Sequence, residues 1–297
     1  MSKALRRNLT AYLFMLPYLF ILVIFTLGAA VFGLALSLYH VNYGIDTPHF
    51  IGLDNFRYLW DQFLHNRDNF EFAISLKNIA QYAVVVIIGQ TTLALCYALL
   101  LNQPIKGRSF LRTAIYLPSV TSSVAITLIF IYLLSNGGAF NAVLSLVHIK
   151  GPDWYHDPAT ALWAIMIQNI YTTAPTFMIL FLAALQGLPA PVYEAARVDG
   201  AGTWGLFRLV TLPLLRPTMF LVVALGTIGS LQTFDQVAIA TQGGPLNATV
   251  TPVWTIYDTA FLQSHFGLGA SMAVVLFVII FTVTLIQRRF IDATIEY

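Results

Sequence analysis

The sequence predicts an all-α, polytopic membrane protein of six transmembrane helices, on three observations. Of 297 residues, 58% are hydrophobic and only 9% are charged, with a mean hydropathy of +0.76. Soluble domains of this length carry far more charge. Six apolar runs reach the ~20 residues that a helix needs to cross the hydrocarbon layer. They lie near 11–38, 78–102, 113–135, 159–186, 216–240 and 266–287. Threading the chain through those six runs also sorts its basic residues strongly to one side.

Each run has its own punctuation. Lys3, Arg6 and Arg7 precede the first, which is too long for a signal-peptide core and is expected to be retained. The following segment, about 40–77, is long enough for a small folded element. The second run lies between Lys77 and Lys106, and the third between Arg112 and the turn Asn136-Gly137-Gly138. The fourth runs from Asp157 to Pro189. Arg216 opens the fifth, Gly243-Gly244-Pro245 follows it, and Arg288-Arg289 closes the sixth. Pro118 and Pro175 are expected to kink the third and fourth helices. Trp60, Trp163, Trp204 and Trp254 are expected as interface anchors. There is no internal repeat or linker, so residues 1–297 read as a single transmembrane domain.

Basic residues in short loops mark the cytoplasmic face. With six spans, Lys3, Arg6, Arg7, Lys106, Arg108, Arg112, Arg197, Arg208, Arg216, Arg288 and Arg289 share one side. Only Arg57, Arg67, Lys77 and Lys150 fall on the other. Asp46, Asp54, Asp61, Asp68, Glu71, Asp153, Asp157 and Asp258 accumulate there instead. Both termini and the loop at about 187–215 are therefore expected in the cytoplasm, and the 40–77 loop outside.

Several chemistries are excluded by residue pattern. No G-x-x-x-x-G-K-[ST] phosphate loop is present, so the chain is not expected to bind ATP itself. The six histidines are scattered without ligand spacing, and the lone Cys96, expected as a small core hydrophobe, permits no internal disulfide. No paired carboxylates share an apolar segment. Nothing points to nucleic acid. No catalytic or metal-binding set is expected.

The stretch Leu188–Pro213 is where charge interrupts the apolar chain, with Glu194, Arg197, Asp199 and Arg208. It reads as two short helices with a kink. Pro191 suits a first helical position, Glu194 the opening turn, and Gly200 a left-handed stop. A second helical piece is expected over about 203–210. Val192, Ala195, Ala196 and Asp199 recur at helical spacing and make a narrow face of mostly small side chains. Tyr193 and Arg197, expected to be exposed, would fix the register of a surface docked there.

Those residues carry a resemblance. Glu194-Ala195-Ala196, three residues, Gly200, nine residues, then Val210-x-Leu212-Pro213 is similar to the cytoplasmic loop of permease subunits of binding-protein-dependent ABC importers, with Val for Ile as the one departure. Phe50-Ile51-Gly52-Leu53-Asp54-Asn55-Phe56, Thr241-Gln242-Gly243-Gly244-Pro245 and Phe266-Gly267-Leu268-Gly269-Ala270-Ser271 resemble the carbohydrate class of that family. The resemblance implies a type I importer permease-like bundle in a prokaryotic plasma membrane, carrying a sugar, oligosaccharide or glycerol-phosphate-like polyol. It implies as partners a second homologous permease, two ATP-binding subunits and an extracytoplasmic solute-binding protein. ATP and Mg would reside on the ATP-binding subunits, with no cofactor on this chain. Glu194, Ala195, Ala196, Arg197, Asp199 and Gly200 would then couple the bundle to ATP hydrolysis, which would drive alternating access.

Candidates for the substrate pathway come from polar groups inside apolar runs. Gln168, Asn169, Tyr171 and Thr172 cluster in the fourth, where a solvated cavity and interhelical packing explain them equally. Gln232 and Asp235 lie in the fifth. A lone carboxylate in a span costs several kcal/mol unless it faces the protein interior or water. Asp235 therefore reads as a hydrogen-bonding group on the path, or as a buried packing contact or an interfacial carboxylate. The rival class is a stand-alone ion-coupled transporter or channel, for which only Asp235 stands out as a relay. The solute itself is not encoded legibly.

Overall fold

The computed structural model describes residues 3–42 and 47–291. Asp46 and the tail at 292–297, on which the charge census and the C-terminal side partly rest, lie outside the described residues. The elements are overwhelmingly helical. α1 (Lys3–Ile21) runs through a π-helical stretch, Leu22–Gly28, into α2 (Ala29–Leu36). A short antiparallel pair, β1 (Tyr39–His40) and β2 (His49–Phe50), precedes α3 (Asp54–His65) and α4 (Glu71–Asn102). Next come α5 (Arg108–Val120), α6 (Ser123–Leu133), α7 (Ala139–Leu146) and α8 (Ala161–Gln186). The stretch of interest holds α9 (Ala190–Val198), α10 (Thr203–Leu206), a π-helical Phe207–Thr211 and α11 (Leu212–Leu214). The chain ends with α12 (Arg216–Leu231), α13 (Asp235–Ala240), α14 (Pro252–Tyr257), a π-helical Asp258–Leu262 and α15 (Phe266–Ile291).

Five helical runs are long and apolar enough to cross a membrane: Tyr12–Leu36, Glu71–Asn102, Ala161–Gln186, Arg216–Ala240 and Phe266–Arg289. These match five of the six expected spans. The third is different: α5 and α6 meet at 99° and supply a sixth crossing only as a bent pair. Pro118 signalled a kink, yet the backbone turns fully at Thr121, which is extended (φ −77°, ψ 144°). Pro175, by contrast, lies within the continuous helix α8. The second span also begins earlier than hydropathy placed it. Glu71 is thus a first-turn residue of α4, and its Oε1 accepts from the Thr255 hydroxyl at 3.4 Å.

The chain divides into two compact units, Met1–Asn66 with Ile256–Leu276, and Arg67–Thr255 with Phe277–Tyr297. In the first, Asn55 of α3 donates through Nδ2 to the carbonyls of Ser37 (2.9 Å) and Tyr39 (3.1 Å). Asn42 joins two imidazoles, lying 2.9 Å from His40 Nε2 and 2.8 Å from His265 Nδ1. The Phe266 N–H donates to the Val41 carbonyl at 2.9 Å. Through these bonds the exit from the first span, α3 and the entry to α15 form one joint.

The second unit is organised on α4 against α8. Ala94, Ala98, Ala164 and Ala174 are fully buried, and such small side chains allow close backbone approach. One core cluster gathers Tyr82, Val86, Ile165, Met166 and Val237; the other gathers Leu101, Met178, Phe181, Leu215 and Val222. Trp254 packs in the first cluster, stacked on Phe234 at 6.3 Å, and so is no interface anchor. Trp60, Trp163 and Trp204 are exposed. Cys96 is exposed on α4 and not a core residue. Asn141 closes the loop after α6: its Nδ2 donates to the carbonyls of Ser135 (3.2 Å) and Pro152 (2.9 Å), while Trp154 Nε1 donates to its Oδ1 (2.9 Å).

Candidate functional site: the elbow between the fourth and fifth spans

Local chemistry shapes the elbow. Gly187 caps α8, and Leu188-Pro189 separates it from α9, which has proline in its first turn. At the other end the Gly200 N–H donates to the Arg197 carbonyl at 3.0 Å, and the Ala201 N–H to the Ala196 carbonyl at 2.9 Å. With Gly200 at φ +86° this is a Schellman stop, in which a left-handed residue satisfies the last carbonyls of the helix. The expected two-helix form and glycine stop are both present.

Two expectations for this segment fail. Glu194 is the fifth residue of α9, not part of its opening turn, because the helix begins at Ala190. Its carboxylate therefore gains little from the N-terminal dipole, which acts within the first turn. Tyr193 is half-buried, and its hydroxyl lies 2.9 Å from Thr211 Oγ1. It ties α9 to the following helical turn instead of reading a docked surface.

What remains outside is informative. Val198, Trp204 and Leu209 are 88%, 70% and 71% exposed, beside exposed Glu194, Ala195, Arg197 and Asp199. Ala196 is half-buried. Among the described residues neither Glu194 nor Arg197 has an ionic partner within the chain. Exposed apolar side chains on the same segment as charges without ionic partners suit a protein interface.

The polar residues of the spans divide differently from their sequence clustering. Gln168 is fully buried: its Nε2 donates to Thr127 Oγ1 at 2.6 Å and its Oε1 accepts from the Tyr155 hydroxyl at 3.1 Å. Burial raises the Tyr155 phenol above its ordinary value, so it stays a donor. The packing explanation fits Gln168. Its side-chain polar groups are engaged by two other segments.

Asn169 is also buried, and its carbonyl accepts from the Thr173 hydroxyl at 2.7 Å. Thr172 is half-buried and donates to the Gln168 carbonyl at 3.1 Å. Tyr171 turns the other way, 43% exposed and 5.6 Å from the Phe130 ring. There it borders an apolar cavity of ≈ 680 Å³ formed with α5, α6 and α7. Replacing Gln168 by Leu strands the Tyr155 hydroxyl. We expect a loss of roughly 1–3 kcal/mol, read as a lowered unfolding temperature in detergent.

Gln232 and Asp235 are exposed and flank a break in the fifth span, since α12 ends at Leu231 and α13 starts at Asp235. Asp235 thus lies within the fifth span as expected, but at a break in its helix, as a first-turn residue after non-helical backbone. There its charge opposes the helix dipole favourably. The Thr251 hydroxyl holds the break by donating to the Thr233 carbonyl at 3.0 Å. Sequence reasoning missed Gln90, the amide of α4 that accepts from the Thr173 hydroxyl at 2.7 Å and occupies the space left by Gly226. A lone Gln in an apolar run was the available signal.

Residues 90–296 match the family model described as the binding-protein-dependent transport system inner membrane component. The chain is 31% identical to the trehalose/maltose transport system permease protein MalF of Thermococcus litoralis, over 94% of this chain and 92% of that one. It is 32% identical to the lactose transport system permease protein LacF of Rhizobium radiobacter, over 94% and 93% respectively. A chain of a bacterial ABC transporter involved in the import of the acidic polysaccharide alginate superposes with a TM-score of 0.83 at 21% identity, covering 99% of each chain.

Proposed function

Because the chain belongs to the family of binding-protein-dependent transport system inner membrane components, we propose that it passes a carbohydrate through the membrane as one of two paired permeases. The trehalose/maltose, lactose and starch-product permeases among its relatives support that solute class. The sn-glycerol-3-phosphate permease, 27% identical, keeps a phosphorylated polyol within the same proposal. A solute-binding protein would deliver the cargo on the outer face. The two termini and the elbow would face the cytoplasm, in keeping with the basic residues gathered there. The whole chain would act as one permease domain, without a cofactor of its own.

The observation that carries this reading is the elbow: a Schellman-stopped helix offering Val198, Trp204 and Leu209 among uncommitted charges. We assign Glu194, Ala195, Ala196, Arg197, Asp199 and Gly200 to contact with an ATP-hydrolysing partner. Ala195 and Ala196 let that partner approach, Glu194 and Arg197 orient it through charge-assisted bonds, and Gly200 fixes the angle between the two limbs. Transport would then proceed by alternating access, with closure of the nucleotide-loaded partners displacing the elbow. For the path itself we assign Tyr171, Gln232 and Asp235, which are exposed, together with Asn169 and Thr172.

Reconstitution tests this. Proteoliposomes holding this chain, its paired permease and the ATP-binding subunits should take up sugar only with ATP inside and binding protein outside. Uptake by this chain alone under an ion gradient would overturn the assignment.

A further inference from the structure

We propose that α3, in the segment after the first span, is an interfacial helix whose Trp60–Leu64 stripe, continued by Leu53 at its N-cap, lies in the outer edge of the lipid bilayer. At 100° per residue, Leu53, Trp60 and Leu64 fall within about 40° of one another around the helix. They are 60%, 66% and 57% exposed.

The rest of the circumference is divided as such a helix requires. Asn55 and Leu59 are buried, with Gln62 half-buried, and they make the protein-facing sector. Asp54, Arg57, Asp61 and His65 fill the third sector, in exposed pairs at 3.1 Å (Arg57–Asp54) and 3.0 Å (His65–Asp61). One side thus meets protein, one meets water, and one apolar stripe is left. A helix with a single solvent-facing side has no reason to keep a tryptophan and two leucines outward.

The depth of the helix identifies what covers the stripe. The first span, Tyr12–Leu36, has 25 residues and is roughly 37 Å long, more than the ~30 Å hydrocarbon core. Its apolar run stops at Leu36, before Ser37, Tyr39, His40 and Asn42, and we assign that end to the headgroup layer. Asn55 binds the Ser37 and Tyr39 carbonyls, so α3 starts within a few ångströms of that layer. The entry to α15 arrives at the same level through Phe266 and Val41. Tryptophan favours this zone, where its ring is amphipathic like its surroundings, and a helix with a lipid sector and a charged sector lies in it stably.

The test uses the intact importer in lipid nanodiscs. Emission of Trp60 is taken as the difference between wild type and Trp60→Phe, with acyl chains brominated either near the headgroup or near the methyl end. We expect bromines near the headgroup to remove most of that emission, those at the chain end to remove less, and aqueous acrylamide to remove little. Quenching by acrylamide and not by brominated lipid would overturn the proposal, placing the stripe in water. Protection from both would also overturn it, placing a protein partner there. A nitroxide at Leu64→Cys in a Cys96→Ala background gives an independent reading: oxygen should relax it and an aqueous nickel chelate should not, and the reverse pattern refutes the assignment.

Discussion

Gly200→Pro should abolish sugar uptake while leaving the chain in the membrane. The residue sits at φ +86°, where proline, fixed near −65°, cannot go. Its N–H also donates to the Arg197 carbonyl, and proline removes that donor. The stop that sets the angle between α9 and α10 is then lost, although nothing in either core cluster is touched. Gly200→Ala keeps the N–H and costs only the left-handed penalty of about 1–2 kcal/mol, so it should retain partial uptake. Glu194→Lys reverses an exposed charge at mid-helix and should also abolish uptake at unchanged abundance. Parallel measurements of membrane content, uptake and ATPase stimulation separate these outcomes. Wild-type uptake and stimulation by both Gly200→Pro and Glu194→Lys would refute the role given to the elbow.

Gly267→Val should prevent the chain from accumulating at all. A Cβ at Gly267 would stand well inside contact distance of the Tyr39 carbonyl oxygen and 3.3 Å from Asn55 Nδ2. Backbone cannot yield as a side-chain tip can, so the joint among β1, α3 and α15 would have to open. Opening it strands the Asn55 amide and separates the Phe266–Val41 bond. Overpacking at so rigid a contact costs several kcal/mol, a large share of the stability of an ordinary domain. Membrane fractions probed with an antibody to the chain should show little of the variant. Normal abundance with normal uptake would show that the joint is not required for folding.

Much of this was legible because it is local. Five spans followed from hydropathy, and the glycine stop from three neighbouring residue types, since a Schellman motif needs little beyond its own helix end. Glu194 was misplaced by part of a turn because sequence cannot distinguish whether Ala190 or Pro191 opens the helix. The third span shows another limit: Pro118 marks a weak point, but the 99° turn at Thr121 depends on where α6 packs. Gln168 and Asp235 illustrate the hardest part. The partner of Gln168 lies 41 residues away on Thr127, and that of Thr173 lies 83 residues away on Gln90. Whether a polar residue in a span meets a solute or another helix is decided by such distant pairings, and no periodicity encodes them.

The elbow leads into the fifth span without slack. From Thr203 the chain is helical through α10, the π-helical Phe207–Thr211 and α11, and backbone bonds from Leu215 to Thr211 and from Met219 to Leu215 carry it into α12. α12 itself has 16 residues, a rod of roughly 24 Å. Leu215, at its foot, is fully buried in the core cluster with Met178 and Phe181. A displacement of the elbow would reach α12 through the turn at Leu215, and the next non-helical backbone along the chain is Gln232–Phe234. The far end of that lever is the turn that presents Asp235.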